Sequence, residues 1–254
     1  VQADSILDSL QISLIWLSCF LQVILIMSQL ILPASTFDFM RQLKQNNNRD
    51  WFAQHKEAYQ QQLELVEAFT VGLLNLLNTH DVIETPNSKK ALHRIYRDIR
   101  FSKDKTPFKT NWSGNFKRAG KHRRGGYYFH LEPGNTFIAG GFWAPDTPDL
   151  KRIRDEIAFD ASPLKQIIGS KEFAKTFGVL EGEQLKTAPK GYAVDHEAIE
   201  MLRYKQFLVR RRFTDEEALR PDFIIKASDT IKNMRPFFDY MSDVLTANVN
   251  GEED

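Results

Sequence analysis

Five cations fall within a short stretch, Arg97, Arg100, Lys103, Lys105 and Lys109, inside the run R-I-Y-R-D-I-R-F-S-K-D-K-T-P-F-K-T-N-W-S-G-N from Arg94 to Asn115. Guanidinium forks and ammonium groups suit phosphate and carboxylate oxygens, and each charge-assisted hydrogen bond contributes about 1.5–3 kcal/mol. Trp112, Tyr127 or Tyr128 would offer a flat face to the rest of such a ligand. If the site is catalytic, Asp98 or Asp104 is the candidate general base and Arg97 or Arg100 the clamp on an oxyanion. The same cations have a plainer use, because pairing with Asp98, Asp104, Glu132 and acidic helices would simply tie a loop to the body.

Positioning these groups requires defined elements. Alternation predicts a strand over 94–101, with Ile95, Ile99 and Phe101 on one face and Arg94, Tyr96, Asp98 and Arg100 on the other. Arg97 then falls among isoleucines, where a guanidinium needs a carboxylate, carbonyls or a bound anion. Thr106-Pro107 reads as a helix start. The segment R-D-I-R-F-S-K-D-K-T-P-F-K-T resembles the signature of a family catalogued as domain of unknown function 2461. N-N-N-R-D-W-F-A-Q-H-K-E-A-Y, Y-Y-F-H-L-E-P-G-N-T-F-I-A-G-G-F-W-A-P and L-K-T-A-P-K-G-Y-A-V-D-H-E-A-I-E-M-L-R-Y-K-Q-F are similar to further blocks of it, from about Thr36 to Phe207. The resemblance implies no activity.

The remaining elements follow from periodicity and punctuation. Thr36 is expected to cap a short helix carrying Phe37, Met40 and Leu43. Trp51, Phe52, His55 and Tyr59 begin a second stripe, continued by Leu63, Val66, Phe69, Leu73, Leu76 and Leu77, with Trp51 and His55 read as core. Tyr127–Glu132 and Thr136–Trp143 form a hairpin around Pro133, Gly134 and Asn135, and Gly140 and Gly141 imply a bulge or a close backbone approach. Asn115 to Gly126 reads as a flexible charged segment. Helices are predicted from Thr147, Ser162 and Ser170, and from Asp195 as a cap, with a strand from Phe207. A helical end over 221–245 breaks at Pro236. The fold expected is one α+β domain over 27–247, a mainly antiparallel sheet holding the basic strand and the hairpin, covered by helices from both ends of the chain.

Charge and composition narrow the chemistry. The 254 residues carry a net charge of +1, yet 89–124 holds thirteen Lys or Arg against two Asp, a local balance of +11, which leaves −10 on the rest. A localised positive surface attracts anions, and nucleic acid is one such partner, with Lys117, Arg118, Lys121, Arg123 and Arg124 tracking phosphates. The acidic remainder and the lack of any nucleic-acid motif weigh against that. A scaffold with no ligand is the third reading, favoured if Arg97 is paired internally with no cavity beside it. No phosphate loop, dinucleotide fingerprint or nucleophile elbow occurs, and the six histidines lack zinc spacings, so no metal and no cofactor is expected.

Cys19 is the single cysteine, which suits a reducing, cytoplasmic compartment. Residues 1–26 read as a hydrophobic leader from an upstream start at which Met27 is the natural initiator. The alternative is a single-span anchor that would leave the domain in the cytoplasm and make a membrane a partner. Residues 248–254 are an acidic tail.

Overall fold

The computed structural model describes residues 31–120 and 124–246. The leader and the acidic tail lie outside the described residues, as do Lys121 and Arg123. Among the described residues no helix is long and apolar enough to cross a membrane.

The chain enters through α1 (Ala34–Gln45), α2 (Arg49–Gln54) and the long α3 (Lys56–Leu77), followed by a single turn, α4 (Ser88–Ala91). α1 starts two residues before the predicted cap, with Pro33 at the N-cap and Thr36 donating its hydroxyl to the Pro33 carbonyl. Asn48 caps α2 by accepting from the Trp51 N–H, and the backbone breaks at His55, so the expected continuous stripe is split between α2 and α3. Trp51 and His55 stack, their rings 3.9 Å apart, and both are half-buried. Val66, Phe69, Leu73 and Leu77 give α3 a buried stripe at helical spacing.

Four strands form one antiparallel sheet in sequential order: β1 (Trp112–Lys117), β2 (Gly126–Leu131), β3 (Thr136–Phe142) and β4 (Phe207–Phe213). The β2–β3 hairpin and β4 stand where alternation puts them. The predicted basic strand does not form. Residues 94–110 instead fold back as a loop, closed by Arg97 N–H to the Pro107 carbonyl and Lys109 N–H to the Ile95 carbonyl, with Tyr96 bridging Phe108. β1 takes the position beside β2, and the outer edge of β1 is met by isolated bridges from Ile83 and Leu92 instead. Of its supposed apolar face Ile95 is buried, Ile99 half-buried and Phe101 95% exposed. Thr106-Pro107 starts no helix, and the segment read as flexible supplies the last three residues of β1 and the first of β2.

Tyr127, Phe129, Leu131, Ile138, Val209 and Phe213 point to one face of the sheet and are buried. Against that face lie α3, α10 (Phe223–Lys232) and α11 (Arg235–Thr246). Phe69 joins the layers, stacking on Phe223 at 5.7 Å and meeting the edge of Phe129 at 6.1 Å. The C-terminal break falls at Asn233–Met234, so Pro236 occupies the first turn of α11. Gly140 is the close approach anticipated in β3: a Cβ there would lie 2.6 Å from Met234 Sδ and about 3 Å from the Phe238 ring. α5 (Thr147–Phe159, capped by Asp146), α6 (Ser162–Gly169) and α7 (Lys171–Phe177, capped by Ser170) wrap α11 from outside. α8 (Ile199–Leu202) begins at Ala198 rather than at an Asp195 cap, and α9 (Asp215–Ala218) opens with a capping box between Thr214 and Glu217. The other face of the sheet bears polar and aromatic side chains, of which Tyr128, His130, Phe137 and Arg210 are half-buried and Asn115, Lys117 and Arg212 exposed.

Candidate functional site

Asn47, between α1 and α2, holds the basic loop to the helices. Its amide donates to the Phe108 carbonyl at 3.0 Å and its oxygen accepts the Phe108 N–H at 3.1 Å. Phe108 then stacks on Phe52 at 4.1 Å, which anchors the loop in the core. Between this anchored base and the loop tip lies a cavity of about 370 Å³ lined by Lys44, Asn47, Arg97, Asp104, Lys109 and Thr110 among others. Arg49 and Lys105 line an adjoining concavity on the other side of Asp104 and Thr106.

The cations here have unequal fates. Arg97 is 25% exposed rather than seated among isoleucines, and its guanidinium is held by the Asp104 carboxylate and the Thr106 hydroxyl and carbonyl. It is satisfied internally, but a cavity remains beside it. The Thr106 N–H and the Arg97 guanidinium hold the Asp104 carboxyl down to about 2, so it is a weak base at neutral pH. Asp98 is likewise held below the usual range by hydrogen bonds from Arg100, and this pair is exposed and does not line the cavity. Lys105 donates to the Ile99 carbonyl at 2.9 Å, and Lys103 stands exposed.

Lys109 differs from all of these. It is half-buried in the cavity wall and meets no carboxylate among the described residues. Burial pushes its pKa below the usual Lys value, and neighbouring Arg94 pushes the same way.

The three aromatic candidates sit elsewhere. Trp112 is buried between helices and sheet, stacked on Tyr59 at 5.5 Å, with its indole N–H donating to the Thr36 carbonyl at 3.2 Å. Tyr128 faces out from the sheet, its hydroxyl 3.0 Å from His130 Nδ1. Tyr127 points inward, onto Asp81 at 2.7 Å. Lys44, Asn47 and Thr110 escaped the sequence reading. Asn47 carried a signal only as part of a helix-stopping Asn run, and its role as anchor is set by a contact 61 positions away.

Of the supposed phosphate-tracking cations, Arg118 is 1% exposed and cannot meet a polyanion. It pairs with buried Asp81 at 2.8 Å and with Asp239, while Tyr127 donates to the same Asp81 oxygen and Arg235 approaches from 3.7 Å. Lys117 pairs with Glu84 and Arg124 with Asp149. A separate cavity of about 330 Å³ beside this network is lined by His80, Phe173, Lys232, Asn233 and Arg235. Among the described residues no cluster of His, Cys, Asp and Glu could hold a metal ion.

A family model described as a conserved hypothetical protein, DUF2461, matches residues 35–240. No curated protein and no solved structure matches the chain.

Proposed function

Since the chain belongs to the DUF2461 family of conserved hypothetical proteins, a membership that carries no activity, we propose from the geometry that it binds a small phosphate- or carboxylate-bearing molecule in the cavity beside Arg97. The observation that carries this reading is Lys109, a half-buried ammonium in the cavity wall with no ion-pair partner among the described residues. An anion placed there removes the penalty that burial and Arg94 impose on its charge. Lys44 and Arg97 add positive charge to the same wall, against Asp104 alone, while Asn47, Thr110 and Asn111 offer neutral polar groups. Arg97, tied to Asp104 and Thr106, serves as a fixed dipolar wall rather than a free fork.

The test is a thermal-shift screen of phosphorylated and carboxylated metabolites against the wild-type protein and Lys109→Met. A stabiliser of the wild type that loses its effect in Lys109→Met supports the assignment. Equal shifts in both proteins remove it. Binding to nucleic acid is the weaker reading because Arg118, Lys117 and Arg124 are engaged with carboxylates. A cytoplasmic location belongs to this proposal, on the strength of the single cysteine.

A further inference from the structure

The outward face of the sheet holds two aligned rows of side chains. The strand registers set Asn115, Tyr128, Ala139 and Arg210 side by side across all four strands, and Ser113, His130, Phe137 and Arg212 in the next row. Directly opposed residues in an antiparallel pair have Cβ atoms about 4.5–5.5 Å apart. Tyr128, His130 and Glu132 are spaced by two along the β2 direction and are hydrogen-bonded in series: Tyr128 Oη to His130 Nδ1 at 3.0 Å, and His130 Nε2 to Glu132 Oε2 at 3.1 Å.

The donors in this chain follow from its anionic end. An ionised carboxylate only accepts, so Nε2 carries the hydrogen, and the Nδ1 of the neutral ring is left to accept from the phenol. Glu132 is kept ionised despite burial by hydrogen bonds from Asn135 and His130 and by nearby Lys44. Burial lowers the His130 pKa below its usual 6.5, against the pull of Glu132 and with help from Arg210, so the ring is neutral at pH 7. The order of groups is hydroxyl, imidazole, carboxylate, which is the logic of an activated nucleophile with its base and the group that orients it.

The far side of the row supplies the complementary charge. Arg210 lies beyond Ala139, the smallest side chain of its row, with its guanidinium 4.7 Å over the Phe137 ring and paired with Glu181 at 2.7 Å. Its Nε is buried and has no hydrogen-bond partner among the described residues. Asn115, opposite Tyr128, takes His93 Nε2 on its oxygen at 2.9 Å and keeps its amide hydrogens for another acceptor.

We propose that Tyr128 is a nucleophile activated by His130 and Glu132, and that this face accepts an acyl group from a carboxylic ester, with the acyl oxygen turned toward the Asn115 amide. Tyr128 Oη forms the bond to the acyl carbon, its proton passes to His130 Nδ1, and the departing alkoxide takes that proton as the ester C–O bond breaks. Water, deprotonated by the same imidazole, then attacks the acyl-tyrosine and restores the phenol, giving the carboxylic acid. The inference does not depend on an anion at Lys109.

The experiment uses phenylmethanesulfonyl fluoride on the full chain, read by peptide mass spectrometry. The Tyr128 oxygen bonds to sulfur, the S–F bond breaks, and the phenol proton leaves through His130 with fluoride. Tyr96, which is 55% exposed and not part of this chain of groups, is the internal reference for simple accessibility. The expected result is faster modification of Tyr128 than of Tyr96, slowed roughly 100-fold in His130→Gln and partly in Glu132→Gln, with Tyr96 unchanged. Modification of Tyr128 no faster than Tyr96, or undiminished in His130→Gln, overturns the proposal. Should His130→Gln fail to fold, the wild-type pH profile decides. The rate at Tyr128 must fall as pH drops through the lowered pKa of His130, whose charged and titratable surroundings are Tyr128, Glu132 and Arg210, with His93 and Lys44 at the two ends. A rate that does not fall as pH is lowered from 7 to the acid limit of folding overturns it. Labelling is read without any anion added, so its outcome is separate from that of the thermal-shift screen.

Discussion

Three cations of the basic run meet three different environments, and burial with or without a counter-charge separates them. Arg97 is partly exposed and closed onto Asp104, Arg118 is wholly buried within a carboxylate network, and Lys109 is half-buried and unmatched. Breaking a buried pair from one side strands the other charge, at a cost of about 3–5 kcal/mol. Arg118→Met is therefore expected to lower unfolding stability by about that amount, measured by urea denaturation. Asp81 adds a pH signature. Burial raises its carboxyl, but hydrogen bonds from Tyr127, the Val82 N–H and Arg118 outweigh this and leave it below the usual Asp value. A carboxyl whose folded pKa lies under its unfolded one adds stability that is complete above the unfolded value, near 3.9, and is lost as pH falls through the folded one. Urea midpoints should thus drop below about pH 4, and Asp81→Asn should abolish that part of the acid dependence.

At the scale of elements, the contacts between sheet and helices are tight enough to predict single-atom effects. Gly140→Ala introduces a methyl against Met234, in the break between the C-terminal helices, and Phe238 of α11. Overpacking of this kind costs about 1–3 kcal/mol, so the thermal midpoint should fall even though the added group is apolar. Asn47→Ala removes both hydrogen bonds that fasten Phe108. Limited proteolysis should then cut within 94–110 well before the rest of the domain opens. The hairpin, β4, α5 and α7 were legible because each is specified locally, by alternation, by Pro-Gly-Asn, or by a cap next to an apolar stripe. Residues 94–101 carry a good alternating pattern too, but a strand needs a neighbour, and W-S-G-N-F-K claims the edge of β2 through Gly114, which lets Phe129 and the Ala91 carbonyl come close. The cation cluster was legible as a patch. Which member would lack a partner was not, because Lys44, Asn47 and Asp81 reach it from other elements. The period-two spacing of Tyr128, His130 and Glu132 was visible, whereas the orientation of that face outward depends on which side the helices cover.

Taken whole, the molecule puts its helices on one side of a four-stranded sheet and leaves a polar face on the other, while an anchored loop shapes a positive cavity at the edge. The two features adjoin: Glu132, at the end of the hydrogen-bonded chain, contacts Thr110 at 3.3 Å and lies 3.9 Å from Lys44, both of which line the cavity. The excess positive charge of 89–124 is correspondingly spread, with much of it neutralised locally by Asp81, Glu84, Asp104 and Asp149. What remains unmatched in the cavity wall is Lys109. The most direct measurement is an NMR titration of the Lys109 side chain, following its Cε and Nζ resonances against pH with and without inorganic phosphate. The account predicts a pKa below the usual Lys value in the free protein and a clear rise when phosphate is present, because an anion in the cavity favours the charged ammonium. An unshifted Lys109 that ignores phosphate and every carboxylate tried would contradict it.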